Sequence, residues 1–221
     1  MSEVIITVRG ENEARVAPEH AVVRVSVTVD GRVRTEVMAR AHALSEPLRD
    51  ELASHQTAGH VLEWSSQRMS VWTDRPWSSD GTMLDPVHHA TLEMSATFTD
   101  FGALSEWLGD VAEREGLQVG SVEWRLSPAT RVRTERDVAT AAVGVAVERA
   151  TAYASALGLS SVTPVEVADV GLLSHDAAQP EMQRMLSKAS MAMDAGGSPA
   201  IGLQPEEIVV SAAVDARFRA G

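Results

Sequence analysis

The 221-residue sequence contains no cysteine, which excludes disulfides, thiolate nucleophiles and cysteine-based zinc sites. Aromatic residues are scarce at 4%, so valine, leucine and alanine must do most of the core packing. Basic residues are also few, 19 against 31 acidic ones, and the net charge is −12. This balance argues against general nucleic-acid binding and against adsorption to anionic lipid, because both depend on a basic surface.

Long hydrophobic runs are missing as well. No stretch approaches the ~18 consecutive apolar residues of a membrane span. Met1 to Glu3 lead directly into Val4, without the basic segment and apolar stretch of an export signal. We therefore expect a cytoplasmic protein with no membrane segment. What is present, 44% hydrophobic and 23% charged residues, is typical of a globular chain.

Two hydrophobic periodicities predict the secondary structure. Alternation, as at Val23, Val25 and Val27, indicates half-buried strands, and spacings of three and four indicate helices. The patterns predict an extended segment over 4–16 with a turn at 10–13, a strand over 21–29, a helix from about 37, strands over 61–72 and 89–99, a helix from 101, a strand over 117–127, an alanine-rich helix over 134–157, and strands over 162–170 and 208–218. Trp64 and Trp72 share one face of the predicted 61–72 strand.

This order, β-β-α-β-β-α-β-α-β-β, indicates an α+β fold in which antiparallel sheets pack on helices. Pro47 lies inside the first helical stripe, so the helix either kinks there or restarts with Ser45 as its N-cap, and we favour one kinked helix. Residues 174–204 are rich in Met, Ala, Gly and Ser without a stable period. We expect them to form a mobile excursion from a single domain over 4–218.

The ordered set of segments resembles the SIMPL-domain family (DUF541). The resemblance lies in Ile6–Ala21, with a Gly turn and Pro18-Glu19 before the long strand, in Gly116–Ser127, in the alanine-rich stretch Ala139–Gly158, and in Ile208–Phe218. Glu19 stands where Asp is usual, and the export signal of many members is missing. The resemblance implies an α+β domain that forms ring-like homo-oligomers, with a loose link to oxidative-stress defence in bacteria. It implies no catalytic residues and no cofactor.

One cluster has the residue types of a metal site. Asp85, His88 and His89 lie close together in sequence, and Asp and His are ligands for zinc and other divalent metals. Adjacent residues on a strand point to opposite faces, so only His88 with Asp85 or Asp74 forms a sensible subset. A polar loop entering a strand explains the cluster more simply.

The other histidines and carboxylates suggest no catalytic machinery. His42, His55 and His60 surround the first helix, where a solvated face is the simplest interpretation. The chain has no Ser-His-Asp pattern in a nucleophile-elbow glycine frame, and Gly10-Glu11-Asn12 lacks the glycines of a phosphate loop.

Tryptophans and methionines are the better candidates for binding. Trp64, Trp72 and Trp77 lie on or beside one predicted strand, where they either pack in the core or form an interface or apolar-ligand groove. Met182 and Met185, in the Met-rich segment, offer an adaptable apolar cover or an oxidant sink.

The sequence therefore favours a non-enzymatic, self-associating binding or scaffold protein that needs no cofactor. Two alternatives stay open. One is a metal-dependent hydrolase that uses Asp85 and His88. The other is a carrier that holds a small apolar ligand between sheet and helix.

Overall fold

The computed structural model describes residues 3–173 and 203–221, which contain three helices and eight strands. The elements are β1 (Val4–Val16), β2 (His20–Gly31), α1 (Arg34–Thr57), β3 (Val61–Ser66), β4 (Ser70–Asp74), β5 (Val87–Phe98), α2 (Phe101–Ala112), β6 (Leu117–Arg125), α3 (Pro128–Ala156), β7 (Val162–Asp169) and β8 (Ile208–Ala220). The predicted α+β class, antiparallel pairing and element order are confirmed. The one refinement is that the predicted 61–72 strand divides into β3 and β4. Nearly all of the predicted excursion, residues 174–202, lies outside the described residues.

Backbone contacts group the described elements into two compact units. The first unit contains β1, α3, β7 and β8, and the second contains β2 to β6 with α1 and α2. The single domain expected over 4–218 stays a prediction. None of the helices in the described ranges combines the length and the apolar character needed to cross a membrane.

The first unit is a three-stranded antiparallel sheet, in the order β1-β8-β7, with α3 packed on one face. Alanines spaced four apart on α3 form the buried side of the helix, namely Ala142, Ala146, Ala150 and Ala154. Because alanine has only a Cβ, the helix backbone comes close to the sheet. Ile6, Val8 and Phe218 fill the rest of this small core.

Gly10 is the position on the sheet where the helix comes closest. A Cβ built there would lie 2.0 Å from the Ala142 carbonyl oxygen and 2.9 Å from the Ala146 Cβ. The predicted turn over 10–13 is wrong, because β1 runs unbroken and Gly10 pairs with Val214. The glycine leaves room for the helix instead of reversing the chain.

We predict that Gly10→Ala lowers the free energy of unfolding by about 1–3 kcal/mol, the usual cost of overpacking a tight contact. Gly144→Ala is the matched control, since no atom of the described residues lies within 4 Å of its added Cβ. Removing a glycine from a helix interior should raise stability by about 0.5–1 kcal/mol. Urea denaturation followed by circular dichroism measures both, and equal effects of the two changes would contradict the proposed role of Gly10.

The opposite face of the first unit's sheet is a charged surface. Arg9 on β1 forms two hydrogen bonds to Asp215 on β8, from Nε at 2.8 Å and from Nη2 at 3.3 Å. The Gly171 backbone N–H donates to the same carboxylate at 3.1 Å, so Asp215 binds both edge strand β1 and the turn that follows β7. The Arg9 hydrogen bonds lower the pKa of Asp215 below its ordinary value, and the Gly171 bond adds to this effect.

We predict that Asp215→Asn destabilises the protein at neutral pH by on the order of 1 kcal/mol or less, because Arg9 is half exposed. A lowered folded-state pKa contributes stability above the unfolded-state pKa, and this contribution is lost as the pH falls through the folded-state pKa. The difference between wild type and variant should therefore shrink in acid. Denaturation across a pH series measures it, with the exposed Asp137→Asn as control, and a pH-independent difference would rule this account out.

The second unit is a five-stranded antiparallel sheet in the order β3-β5-β2-β6, with β4 also paired to β5. The predicted core face of β2 is confirmed, since Val23, Val25, Val27 and Val29 are buried. They pack with β5 residues and with α1 and α2 in one apolar core.

Helix α1 is continuous through Pro47, which confirms the favoured single helix, and the kink at Pro47 stays a prediction. Ser45 is buried in the helix and donates its hydroxyl to the His42 carbonyl at 2.8 Å, so it does not begin a new helix. Helix α3 begins six residues earlier than predicted. Its start is marked by Ser127, whose hydroxyl accepts the Thr130 N–H, followed by Pro128 in the first turn.

Candidate interaction surface

Strand β4 and the loop that follows it form the most exposed apolar region of the second unit. β4 pairs with β5 from Ser70↔Thr91 to Asp74↔Val87. Within the described residues β4 has no second partner strand, so one edge of its backbone is unpaired. An unpaired edge presents N–H and C=O groups that can pair with another chain.

Four large apolar side chains lie on or directly after this edge. Their exposed fractions are 46% for Trp72, 65% for Trp77, 48% for Met83 and 46% for Leu84. We call these four residues the aromatic patch. Exposed apolar side chains concentrated in one segment are typical of interaction sites in soluble proteins.

A small hairpin at the tip of the loop places two members of the patch together. Trp77 and Met83 form an isolated antiparallel bridge. Between them the Ser78 N–H donates to the Thr82 carbonyl at 2.9 Å, and Gly81 adopts a positive φ of 79°. The positive φ favours glycine, so the turn depends on this residue.

Trp72 is held in place by a histidine beneath it. Its indole stacks on the His89 ring, with centroids 5.2 Å apart and an interplanar angle of 16°. His89 Nε2 is buried and has no hydrogen-bond partner in the described part of the chain, and its nearest carboxylate oxygen is Asp74 Oδ1 at 3.6 Å. The stacking leaves one face of the indole available to a partner, with little conformational freedom left to lose on binding.

The structure separates the three predicted tryptophans. Trp64 faces inward, opposite Ala96, and packs against the core, whereas Trp72 lies opposite His89 and is exposed. The sequence-based placement of Trp64 and Trp72 on one face is therefore wrong. The chain leaves the strand at residues 67–69, so the alternation does not continue from β3 to β4. Met182 and Met185 lie outside the described residues.

The predicted metal pair has other partners. Asp85 Oδ2 lies 3.9 Å from Arg32 Nη1, and both side chains are 82% exposed. His88 Nδ1 hydrogen-bonds to the Thr73 hydroxyl at 2.7 Å. Across residues 3–173 and 203–221, no group of three or more His, Asp or Glu side chains is placed to hold a metal ion.

Met83 and Leu84 were not predicted from the sequence as members of the aromatic patch. The signal was present in Asp80-Gly81, a dipeptide typical of tight hairpin turns, with Trp77 and Met83 on its two sides. Recognition of this turn would have predicted a hairpin with both side chains close together.

The comparison with known proteins decides the family. The model of the SIMPL family, described as a protein of unknown function (DUF541), matches residues 6–218. The chain belongs to the SIMPL family. No curated protein matches it. For this SIMPL chain the family description supplies no activity, so function must be argued from the surface itself.

Proposed function

We propose that this SIMPL chain is a non-catalytic protein that self-associates through the β4 edge and the aromatic patch. The observation that carries the proposal is the coincidence of an unpaired strand edge with four large, exposed apolar side chains. Tryptophan and methionine are enriched at interfaces, so the composition of the patch supports binding.

A second copy of the chain is the partner that best fits the edge. Two β4 strands can pair antiparallel about a two-fold axis, so that the same surface serves on both copies. β4 has five residues with Trp72 at its centre, so a two-fold axis there brings the two indoles together. The strand contains one charged residue, Asp74, and no lysine or proline, the residues that commonly protect strand edges.

One two-fold contact makes a dimer, because the shared surface is used up in forming it. The ring-like assemblies implied by the SIMPL resemblance require a second, different contact. We include ring formation in the proposal on the strength of the resemblance alone.

We predict that the double variant Trp72→Ala/Trp77→Ala has a smaller solution mass than the wild type at the same concentration. Size-exclusion chromatography with light scattering measures the mass. Tyr153→Ala is the matched control, since it removes an aromatic side chain that is 49% exposed on α3 and leaves a good helix former.

Two outcomes would count against the proposal. One is a monomeric wild type at the highest concentration reached. The other is a double variant that keeps the wild-type mass. The solution mass of a Leu84→Glu variant is a second test. This change adds a charge to the patch and leaves Trp72 stacked on His89.

The link to oxidative-stress defence is also a proposal. It is supported by the SIMPL resemblance and by the exposure of Met83 within the patch. Oxidation to the sulfoxide makes methionine polar and disrupts methionine-containing interfaces. Self-association would then respond to oxidants through Met83.

We predict that dilute peroxide oxidises Met83 before Met94, which is 3% exposed in the core. Peptide mass spectrometry over time gives the order, and light scattering on the same samples gives the mass. Oxidation of Met94 at the same rate as Met83 would exclude a selective response. Met83→Leu, which keeps the apolar volume, should remove the effect of peroxide on mass.

A further inference from the structure

Two histidines meet at the turn between α1 and β3. His55 lies in the last turn of α1, His60 directly precedes β3, and Gly59 between them has a φ of 82°. The two Nδ1 atoms are 3.3 Å apart and the ring centroids 5.6 Å apart. The turn therefore brings the same nitrogen of both rings face to face.

The 3.3 Å separation of the two Nδ1 atoms fits a metal ion bound by both nitrogens as well as a proton shared between them. As a hydrogen bond, the pair needs a proton on one Nδ1 and a lone pair on the other. A tetrahedral zinc ion with Zn–N bonds of about 2.0–2.1 Å sets its ligand nitrogens about 3.3–3.4 Å apart. If both rings carry their protons on Nε2, both Nδ1 lone pairs become available to an ion. The rings must turn modestly so that the two lone pairs converge beside the line that joins the nitrogens.

The surroundings hold the ring of His55 and the backbone of His60. The His55 ring packs against the buried ring of Phe98 at a centroid distance of 5.7 Å. The backbone carbonyl of His60 accepts the Thr99 N–H at 2.9 Å, which fixes the end of the turn. Little reorganisation is then needed to present the two nitrogens together.

Carboxylates surround the pair. Asp100 caps α2, and its pKa is lowered chiefly by the hydrogen bond from the Ala103 N–H and further by the charges of His60 and His55. Beside His55, a groove of about 250 Å³ is lined by acidic side chains, with Trp107 and Arg114 as other members. The acidic members are Glu51, Glu106 and Asp110. Glu51 already accepts hydrogen bonds from Trp107 Nε1 and Arg114. The acidic side chains of the groove together favour a cation near the histidines.

We propose that His55 and His60 form a binding site for a divalent metal that prefers imidazole ligands, such as Zn²⁺ or Cu²⁺. The two Nδ1 atoms supply the protein ligands, and water completes the coordination shell. Imidazole suits these metals, whereas Mg²⁺ and Ca²⁺ prefer oxygen ligands. The site does not depend on self-association, because it uses none of the residues of the aromatic patch.

Isothermal titration of the full-length, metal-free protein with Zn²⁺ at neutral pH tests the site. We expect saturable binding of one ion per chain. Changes that merely reorient a metal ligand cost about 10–100-fold in affinity. Loss of a ligand in His55→Gln or His60→Gln should therefore weaken binding at least about tenfold. Two matched controls should bind as the wild type does: His42→Gln, which removes an exposed histidine of α1, and His88→Gln, which removes the metal candidate near β5.

A spectroscopic measurement on the wild type tests the site without relying on the folding of any variant. With Cu²⁺ as probe, the electron paramagnetic resonance spectrum should show coupling to two imidazole nitrogens. The proposal is overturned if the wild type does not bind, if both ligand variants bind as tightly as the wild type, or if only His88→Gln loses binding. Thermal melts without metal check that each variant is folded.

Discussion

The pairing of the two ends of the chain is the constraint on which the first unit depends. β1 and β8 align over their full length, from Val4↔Ala220 to Val16↔Ile208. β8 is the central strand, so among the described residues β1 and β7 have no direct pairing and join through β8. The sheet is therefore incomplete until the last strand is in place. The second unit needs no such closure, since its strands and helices all come from the continuous stretch between β1 and α3.

The close approach of α3 to this sheet explains the alanine-rich core of the first unit. Its core is small, and α3 covers the sheet with alanines rather than with large side chains. Close approach compensates for small volume, because dispersion contacts depend on short distances. Gly10 permits this approach at the centre, and Arg149 strengthens it by donating from Nη1 to the Arg9 carbonyl at 2.7 Å. Arg9 in turn binds Asp215 on the other face, so helix, edge strand and central strand form one connected set.

Periodic features of the sequence predicted the fold well, and features that depend on distant partners were not predicted. The valines of β2 fixed both the strand and its buried face, since alternation of period two has a single structural meaning. The turn predicted at Gly10 was wrong because glycine is equally suited to a turn and to a close contact with a helix. Only the position of α3 distinguishes the two. Trp72 was placed on the wrong face relative to Trp64, because a break of three residues is invisible to a continuous pattern. The contact between Trp77 and Met83 in the patch depends on the hairpin at Gly81, for which Asp80-Gly81 is the local sequence signal.

The contact between His55 and His60 is another feature that the sequence pattern did not predict. Each alone looks like a solvated histidine beside a helix, and a spacing of five matches neither a helix face nor a strand face. The turn at Gly59 converts that spacing into contact, since the chain reverses between the two residues and brings their rings side by side. The Trp77–Met83 pair within the aromatic patch and the histidine pair therefore arise in the same way. In both, a glycine with positive φ allows a turn that brings together side chains that a regular helix or strand would keep apart. The turn therefore creates a pair of neighbouring side chains that neither of the flanking segments has alone.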